Sequence, residues 1–488
     1  MAGNSILVID AGTSALRAIE VRADGRATHI ATTPWSMFVP SDAAPFGREF
    51  DAAGVQAALD RLLAMASPTR SKIVAIAVTG QREGIAFVDA DGEAVFASPN
   101  IDARASAEGI AIDAKHADEV YAVTGHLPSL MQAPAKLAWL RTHRPGVAAR
   151  VAHVLPLADW LAMRMTGTPV MSRSLAGENG LLDVTTGEPP TELLSRLELP
   201  RSVVPPVGSD GSIVGNVRAG HFVGVPVVLA GADTQCALVG MGVTEPGDAG
   251  VPAGWSAPLQ LVTSRPVIDA EKRTWTGMHG VPNRWILESN AGETGRAWDW
   301  ICTMVGLTPA EGSDLAAHTP AGSGDVMTVL GARAMRASAM NAGVGGVTFP
   351  LPLVMSSPDR GSVLRSVLES IAYAVRSNLE QLEQVSGAGI GSLALGGGMS
   401  RSTTFTQIVA DVIDRPLELA STPETSALGA GVLAAAALGL HASLADAVAA
   451  MTGRRRTLAP NARASAQYDD EYARWCTMSD QFERMAGA

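Results

Sequence analysis

The first candidate for chemistry is residues 9–17, I-D-A-G-T-S-A-L-R, in which a buried strand ends in a carboxylate and a small-residue turn follows. The segment lacks the G-x-x-x-x-G-K-[ST] pattern of a P-loop. The N–H groups of Gly12, Thr13 and Ser14 can instead form a concave nest for phosphate oxygens, and Asp10 lies where a magnesium ion or its waters would be held. An ordinary hairpin with an Asp in its turn explains the same residues, so both interpretations stay open.

A second carboxylate, Asp233, follows the apolar strand predicted at Val225–Ala230. Ligands of open α/β sheets bind at the carboxyl ends of the strands. Asp233 is therefore placed to accept the proton of a substrate hydroxyl during phosphoryl transfer. The alternative is an N-cap for the short apolar helix predicted at Cys236–Val239.

Two glycine-containing segments near the end of the chain are candidates for nucleotide contact. The run G-G-G-M-S-R-S at Gly396–Ser402 lies between a predicted strand and a predicted helix, where backbone and helix N-terminus favour phosphate. A flexible turn is the competing explanation. The small-residue helix that begins at Glu424–Ala430 is narrow enough to pack on a planar base, or simply on another helix.

Charged pairs at strand ends suggest recognition of hydroxyl groups. Gln81-Arg82-Glu83-Gly84 follows the strand predicted at Ile73–Val78, and an Arg beside a Glu can both donate to and accept from adjacent hydroxyls. Asp102 and Arg104 offer the same pair of groups. For these two an internal ion pair is the competing explanation.

Composition excludes several classes of function. The net charge of −11 disfavours nucleic acid as a partner, because that binding depends on neutralising phosphates. The three cysteines are scattered, which argues against a disulfide framework and fits a reducing cytoplasm. We expect no signal peptide, no membrane helix and no zinc site, since the apolar runs are short and the histidines are dispersed.

Strand and helix patterns alternate along the chain, which predicts an α/β protein. Its 488 residues exceed the roughly 250–300 that one core supports, so two domains are expected, residues 1–243 and 244–488. Both predicted halves open with a strand, a small-residue turn and a returning strand. In the second half these are Gly247–Val251, Pro252–Ser256 and Ala257–Thr263.

Taken in order, these motifs resemble the FGGY family of carbohydrate kinases, within the actin, hexokinase and Hsp70 superfamily, over nearly the whole chain. The matching segments are Asp10–Arg17, Gln81–Gly84 with Gly92, Asp102–Arg104, Met131–Leu140, Asp159–Leu161 with Thr166-Gly167, Gly231–Gln235, Val363–Glu369, Gly396–Ser400 and Glu424–Gly429. The resemblance implies two actin-like (ribonuclease H-like) domains flanking a cleft, with the substrate on the N-terminal side and the nucleotide on the C-terminal side. It also implies ATP and Mg²⁺ as cofactors.

The resemblance assigns roles residue by residue. Asp233 is the implied catalytic base, and Asp10 and Asp233 are the implied metal ligands. Nucleotide contacts are implied for Gly12, Thr13, Ser14, Arg17, Gly254, Ser256, Gly397, Gly398, Met399 and Ser402. Substrate contacts are implied for Gln81, Arg82, Glu83, Asp102, Asp233 and Thr234.

One departure from the family concerns the second phosphate turn. It commonly reads G-T-S or G-T-F, whereas this chain has Gly254-Trp255-Ser256. The change removes a hydroxyl donor to the γ-phosphate and adds a bulky ring. Altered geometry or a changed substrate pocket follows from it, and it motivates a rival hypothesis of a nucleotide-binding clamp with weak or no kinase activity. A hydrolase acting on ATP alone is a third hypothesis.

The segments Arg82–Ile85 and Asn100–Ala105 resemble those of autoinducer-2 kinases, which act on a small open-chain sugar-like compound. The alternatives are a pentulose kinase, acting on xylulose or ribulose, and a polyol or glycerol kinase. We expect a small-molecule sugar or polyol as the partner and neither nucleic acid nor a membrane. The sequence does not define the oligomeric state, and a homodimer is the working hypothesis.

Overall fold

A computed structural model describes residues 4–330, 333–338, 343–352 and 357–486. Strands and helices alternate through most of the chain, which confirms the predicted α/β class. The strands are β1 Ser5–Ala11, β2 Ala15–Arg22, β3 Ala27–Pro34, β4 Met37–Phe38, β5 Glu49–Phe50, β6 Ile73–Gly80, β7 Ile85–Val88, β8 Ala94–Ser98, β9 His153–Pro156, β10 Met171–Ser172, β11 Val207–Gly208, β12 Ser212–Asn216, β13 Pro226–Ala232, β14 Asp248–Pro252, β15 Pro258–Thr263, β16 Trp275–Met278, β17 Trp285–Asn290, β18 Met327–Val329, β19 Gly346–Thr348, β20 Ser392–Gly396, β21 Leu417–Leu419 and β22 Arg456–Leu458.

The α-helices are α1 Ala52–Ala66, α2 Ser106–Thr124, α3 Ala133–His143, α4 Pro145–Ala148, α5 Leu157–Thr166, α6 Arg173–Glu178, α7 Thr191–Arg196, α8 Asp233–Gly240, α9 Thr294–Met304, α10 Pro309–Ala317, α11 Arg360–Ser386, α12 Thr403–Ile413, α13 Thr425–Ala437, α14 Leu444–Met451 and α15 Ala462–Ala486.

The chain divides into two compact units. The first comprises Met1–Thr244, Thr263–Ile286 and Glu424–Gly453, and the second comprises Glu245–Val262, Leu287–Pro423 and Arg454–Ala488. The chain therefore returns twice to the first unit after leaving it. The predicted division into domains 1–243 and 244–488 stays a prediction about where two contiguous domains meet.

The sheet of the first unit has the strand order β12-β13-β6-β1-β2-β3. The central strand β1 pairs antiparallel with β2 and parallel with β6, and β6 pairs parallel with β13. The carboxyl ends of β1, β6 and β13 therefore meet at one edge of the sheet. This edge carries Asp10, Gln81 and Asp233, in agreement with the rule for ligand sites in such sheets.

Both faces of this sheet are buried. The side chains of β1 show this, because they point alternately into two different core clusters. Ile6 and Val8 belong to a core cluster with Leu428 of α13, whereas Leu7 and Ile9 belong to the cluster on the opposite face. Helices α1 and α5 pack on that opposite face. Side chains of a strand alternate between faces, so a strand covered on both sides reads as a continuous apolar run.

Helix α13 packs against α8 through glycine. A Cβ added to Gly429 would lie 1.7 Å from the Cys236 carbonyl oxygen, and one added to Gly240 would lie 2.0 Å from the Thr425 carbonyl oxygen. The two backbones approach too closely for any side chain. The structure thus supports helix–helix packing as the reason for the small residues after Glu424.

The sheet of the second unit contains, in order, β17-β15-β14-β20-β21-β22. Strand β14 pairs antiparallel with β15 and parallel with β20, and β20 pairs parallel with β21. The outer strand β22 pairs antiparallel with β21, as β12 does with β13 in the first unit. The two sheets share this topology, and β1 and β14 occupy equivalent places in them.

Asp159 of α5 is a buried acid that supports the fold of the first unit. Its Oδ2 accepts hydrogen bonds from the Ser172 N–H at 2.8 Å and the Ser172 hydroxyl at 3.0 Å, while Oδ1 has no partner among the residues that the structure describes. Burial raises the pKa of Asp159 to about 8. The carboxyl is therefore protonated at neutral pH, which is the form that can be buried without a counter-charge.

We expect Asp159→Asn to remove a pH dependence of stability. The folded state keeps a proton that the unfolded state loses near pH 4, so the wild type loses stability as pH rises from about 4 to about 8, by on the order of 3–5 kcal/mol. Asparagine keeps the acceptor oxygen and does not titrate. Urea unfolding at pH 5 and pH 8.5 should show the variant gaining stability relative to the wild type at the higher pH; a difference independent of pH would contradict the assignment.

Candidate active site

Asp10 ends the central strand β1 and is buried. Its partner across the sheet in β2 is Arg17, whose guanidinium donates to Asp10 Oδ2. The same guanidinium donates to Glu424 Oε2 at 3.1 Å. Arg17 was predicted to contact nucleotide; within the first unit its charge is shared between two carboxylates, one from β1 and one from the residue before α13.

Asp233 is the first residue of α8 and directly follows β13. The residue before the helix, Ala232, is its N-cap, and no side chain caps the helix there. The alternative role of Asp233 as an N-cap is therefore wrong. Its carboxyl remains available to a ligand at the sheet edge.

The pKa of Asp233 is raised to about 7. Burial is the main cause and the negative charge of Asp10 the second, while Arg82 acts in the opposite direction. A carboxylate is an efficient proton acceptor when its pKa lies near the working pH. Position and proton affinity thus both suit Asp233 to act as a general base.

The β1–β2 turn carries the predicted phosphate nest, with one difference. The Gly12 N–H donates to the Ala15 carbonyl at 3.1 Å and closes the hairpin, so it is not available to a ligand. The N–H groups of Thr13 and Ser14 donate to no acceptor in the described part of the chain. We therefore retain Thr13 and Ser14 as candidate phosphate donors and exclude the Gly12 N–H.

Side chains from other segments of the first unit support the β1–β2 turn through hydrogen bonds. The Trp35 indole N–H donates to the Thr13 carbonyl at 3.3 Å, and the Thr13 hydroxyl donates to Asn100 Oδ1 at 3.2 Å. Gln81 Nε2 donates to the Gly12 carbonyl at 3.1 Å, and Gln81 Oε1 accepts from the Asn100 N–H at 2.8 Å. Both ends of the Gln81 amide are thus bonded to backbone. The structure thus shows Gln81 supporting the turn, and its contact with substrate stays a prediction.

Arg82 belongs to a buried charge cluster that the sequence analysis missed. Its guanidinium donates to Glu178 Oε2 at 3.3 Å and lies 5.5 Å from the centre of the Trp275 ring. His126 Nε2 contacts the same Glu178 oxygen at 3.2 Å, and Gln235 Nε2 donates to Glu178 Oε1 at 2.7 Å. Glu178 therefore connects Arg82 to helix α8, two residues after Asp233.

The surroundings of His126 in this cluster favour its positively charged form. Its Nδ1 faces the Thr124 carbonyl oxygen at 2.9 Å and its Nε2 faces the Glu178 carboxylate. Both partners only accept, so both ring nitrogens carry protons. Burial alone would lower the pKa of His126, but Glu178 outweighs burial and raises it. In turn, Arg82 and His126 hold the pKa of Glu178 well below its usual value in spite of burial.

Glu83 occupies a strained turn beside Arg82. Its φ is +59°, and the Gly84 N–H donates to the Arg82 carbonyl at 2.7 Å, which makes a tight three-residue turn. The buried Lys136 ammonium donates to the Glu83 carbonyl at 2.9 Å. Burial raises the pKa of the Glu83 carboxyl. Strain of this kind persists where surrounding contacts impose it, and it is typical of ligand sites.

Two predicted substrate residues have internal partners instead. Asp102 is fully buried, and Arg104 Nε donates to both of its carboxylate oxygens at 2.9 Å. The internal ion pair, which the sequence left open for these residues, is the arrangement in the structure. The Thr234 hydroxyl donates to Gln235 Oε1 at 2.6 Å and thereby orients the amide that binds Glu178.

In the second unit the structure brings the predicted nucleotide segments together. The Ala253 N–H donates to the Gly396 carbonyl at 2.9 Å, and the Met399 N–H donates to the Ala253 carbonyl at 3.0 Å. Gly397 has a φ of +84°, and a Cβ there would lie 2.6 Å from the Ala253 carbonyl oxygen. Only glycine fits this position, so the turn after β14 and the turn after β20 form one structure.

Ser402, also predicted to contact nucleotide, is the N-cap of α12. Its hydroxyl oxygen accepts from the Phe405 N–H at 3.1 Å and lies 2.6 Å from the Ser313 hydroxyl. Capping satisfies a helix N–H that has no partner in the helix. The structure thus gives Ser402 a capping role, and its contact with nucleotide stays a prediction.

No group of three or more His, Cys, Asp or Glu side chains among the described residues is arranged to hold a metal ion. Asp10 and Asp233, however, are close enough to interact, since the charge of Asp10 raises the pKa of Asp233. Protein-bound Mg²⁺ commonly uses one or two carboxylates and takes its remaining ligands from phosphates and water. These two residues fit a magnesium ion that arrives with a nucleotide. Within the described ranges, no helix is both long and apolar enough to cross a membrane.

Comparisons with known proteins find matches along most of the chain. Residues 5–240 match the N-terminal domain of the FGGY family of carbohydrate kinases, and residues 253–438 match its C-terminal domain. The chain is 28% identical to an autoinducer-2 kinase of Klebsiella pneumoniae, over 97% of this chain and 93% of that protein.

Solved structures of sugar kinases also resemble the chain. A xylulose kinase from Rhodospirillum rubrum superposes with a TM-score of 0.82 at 26% identity, covering 99% of this chain and all of that one. A gluconate kinase from Lactobacillus acidophilus superposes with a TM-score of 0.86 at 19% identity, covering 99% of both chains, which shows a shared fold.

Proposed function

We propose that this chain, which belongs to the FGGY family of carbohydrate kinases, phosphorylates a primary hydroxyl of a small open-chain sugar, with autoinducer-2 as the first candidate. The chain is an ATP-dependent carbohydrate kinase, so the open points are the substrate and the residues that act on it. The observation that carries the proposal is Asp233, a carboxylate with a pKa near 7 at the sheet edge that also holds Asp10 and Arg82.

In the proposed step, Asp233 removes the proton from the substrate hydroxyl. The hydroxyl oxygen forms a bond to the γ-phosphorus in line with the departing oxygen, the bond to the β-phosphate breaks, and ADP leaves. The N–H groups of Thr13 and Ser14 would bind phosphate oxygens. Asp10 and Asp233 would hold Mg²⁺, which neutralises charge on the phosphates.

Arg82 and Glu83 would contact the hydroxyl or carbonyl groups of the sugar. Arg82 is oriented by Glu178 and the Trp275 ring, and Glu83 by the Lys136 bond to its carbonyl. A rigid donor beside a rigid acceptor discriminates compounds by the spacing of their oxygens. The relatives named as autoinducer-2 kinases support a short open-chain compound, and the three free cysteines support activity in a reducing cytoplasm.

A substrate panel tests this proposal. The purified chain is incubated with Mg²⁺ and ATP, and ADP release is measured with autoinducer-2, xylulose, ribulose, glycerol or gluconate. We expect autoinducer-2 to give the highest kcat/KM. A higher value with xylulose or ribulose would make the chain a pentulose kinase instead. ADP release that no compound accelerates would indicate an ATP hydrolase, and no release at all would indicate a nucleotide-binding clamp.

The pH dependence of kcat/KM tests the role of Asp233 independently. Only ionised Asp233 can accept a proton, so kcat/KM should fall tenfold per pH unit below about pH 7 and level off above it. Replacing Asp10 by Asn removes the charge that raises the pKa of Asp233, and the midpoint of the profile should move to lower pH. Arg150→Ala, at a surface ion pair with Asp89, is the control that should not move it. A flat wild-type profile between pH 5.5 and 8 would refute a titrating base at this position.

A further inference from the structure

The second phosphate turn repeats the first almost residue for residue. Ala11–Ala15 reads A-G-T-S-A and Ala253–Ala257 reads A-G-W-S-A. Each turn follows the central strand of its sheet and leads to an antiparallel neighbour, β2 in one unit and β15 in the other. The two turns therefore occupy equivalent places, and they differ at Thr13 and Trp255.

The backbone of the second turn presents the same kind of donors as the first. The Gly254 N–H donates to the Ser256 carbonyl at 2.9 Å, one residue earlier than the Ala15 carbonyl that accepts from the Gly12 N–H in the first turn, so each glycine N–H is used within its own turn. The N–H groups of Trp255 and Ser256 donate to no acceptor among the described residues. A Cβ added to Gly254 would meet nothing within 4 Å, so the space beside this turn is open to a ligand.

The side chain of Trp255, which stands where the first turn has Thr13, contacts Arg296. The Trp255 side chain is 48% exposed, and the Arg296 guanidinium lies 5.8 Å from the centre of its ring. The Arg296 N–H also donates to the Trp255 carbonyl at 3.3 Å. The start of α9 lies tightly against the turn, because a Cβ added to Gly295 would be 2.1 Å from the Gly254 carbonyl oxygen. Arg296 is thus fixed beside the turn by its backbone and by a cation–π contact.

The charge of Arg296 is less neutralised than that of the arginine beside the first turn. Arg17 is shared between the buried Asp10 and Glu424. Arg296 has an ion pair with Glu293 at 3.6 Å, and more than 60% of each side chain is exposed. Exposed pairs of this kind are weak. In a chain with a net charge of −11, this turn therefore carries a local positive group.

We propose that Arg296, stacked on Trp255, is a phosphate-binding residue for the terminal phosphates of a nucleoside triphosphate. Its guanidinium supplies a donor at the turn where the family commonly has a threonine hydroxyl. Arginine binds phosphate with two parallel N–H groups, and stacking on the indole restricts its rotamers before the ligand arrives. The inference rests on the proposed function, because it assumes that the chain binds ATP.

The test is Arg296→Ala, assayed with ATP at saturating sugar. Loss of one charged donor should raise KM for ATP about tenfold and leave KM for the sugar within about twofold of the wild type. Arg296→Lys should recover part of the affinity, and the dependence of KM on salt should be weaker in the alanine variant. Trp255→Ala should raise KM for ATP less than Arg296→Ala does. The matched control is Arg463→Ala, an exposed arginine in the first turn of α15 in the same unit.

Calorimetric titration with ATP and ADP separates the possible failures. If the wild type binds ATP and the Kd of Arg296→Ala for ATP is within twofold of the wild-type value, the role of Arg296 is refuted while the kinase assignment stands. If the wild type binds no ATP, the proposed function itself fails. If Arg296→Ala does not fold, Arg296→Gln replaces it in the titration, because glutamine keeps the aliphatic stem. The same twofold limit on the affinity for ATP then decides the role of Arg296.

Discussion

Asp233→Asn is expected to lower kcat by roughly 10²- to 10⁴-fold, the contribution of a positioned general base. Asparagine has nearly the same shape but cannot accept the hydroxyl proton at neutral pH. It also removes the repulsion from Asp10, so the folded protein should be at least as stable as the wild type, and ATP binding should persist. The measurements are steady-state ADP release with the best substrate of the panel, thermal unfolding, and calorimetric titration with ATP.

The matched control for this variant is Asp159→Asn. It makes the same chemical change at another Asp of the same unit that is buried and has a raised pKa. The carboxyl of Asp159, however, is bonded to Ser172 and does not lie at the sheet edge that carries Asp233. We expect its kcat to stay within about twofold of the wild type. Turnover by Asp233→Asn that matches the control would show that another group takes the proton.

Glu178→Gln is expected to reduce both stability and affinity for the sugar. Removing the carboxylate of a buried ion cluster takes away negative charge that Arg82 and His126 share, which costs about 3–5 kcal/mol of unfolding free energy. Arg82 also loses the carboxylate that orients it. KM for the sugar should therefore rise more than KM for ATP.

The contribution of His126 to the pH dependence of stability should have opposite signs in this variant and in the wild type. In the wild type the pKa of His126 is raised above 6.5, so its contribution to stability is full below pH 6.5 and is lost as pH rises through the folded pKa. Without Glu178, burial disfavours the imidazolium, and the contribution of His126 should instead grow as pH rises towards 6.5 and level off above it. Urea unfolding of both proteins at pH 5.5 and 8 measures this, since Asp159 contributes equally to both and cancels in their difference.

Glu369→Gln is the control for a buried glutamate with an arginine partner. Glu369 lies in the second unit. Its carboxylate accepts a hydrogen bond from Arg365 Nε at 2.8 Å and another from the Tyr468 hydroxyl at 2.9 Å. We expect this variant to lose stability without a change in KM for the sugar. An unchanged KM in Glu178→Gln would restrict Glu178 to a structural role.

The parts of the site that local patterns define were predictable from sequence. Asp10 and Asp233 each follow an apolar strand, and a parallel sheet brings such strand ends to one edge. The D-A-D-G turn between Ile85–Val88 and Ala94–Ala97 predicts a hairpin, and the structure has it as β7 and β8 with nearly the same bounds. The fold class followed from the same alternation of strands and helices.

The parts that depend on distant segments were not predictable. Glu178 contacts Arg82, His126 and Gln235, which come from three separate stretches of chain. The one available signal was a carboxylate in a run of small and apolar residues after Ser174, a pattern typical of a paired buried charge. Gln81 bonds to Gly12 and Asn100, and Ser402 lies beside Ser313, and these partners are also distant in sequence.

The glycine contact between α8 and α13 has a consequence for biosynthesis. One face of the first sheet, with Ile6 and Val8, is covered by a helix that ends at Ala437, whereas the strands of that sheet are complete by Ala232. At roughly 5–20 residues per second, a ribosome needs about 10–40 s to extend the chain from α8 to the end of α13. During that interval the nascent chain carries an apolar sheet face without its cover, which makes the first unit a client for chaperones until translation is nearly finished.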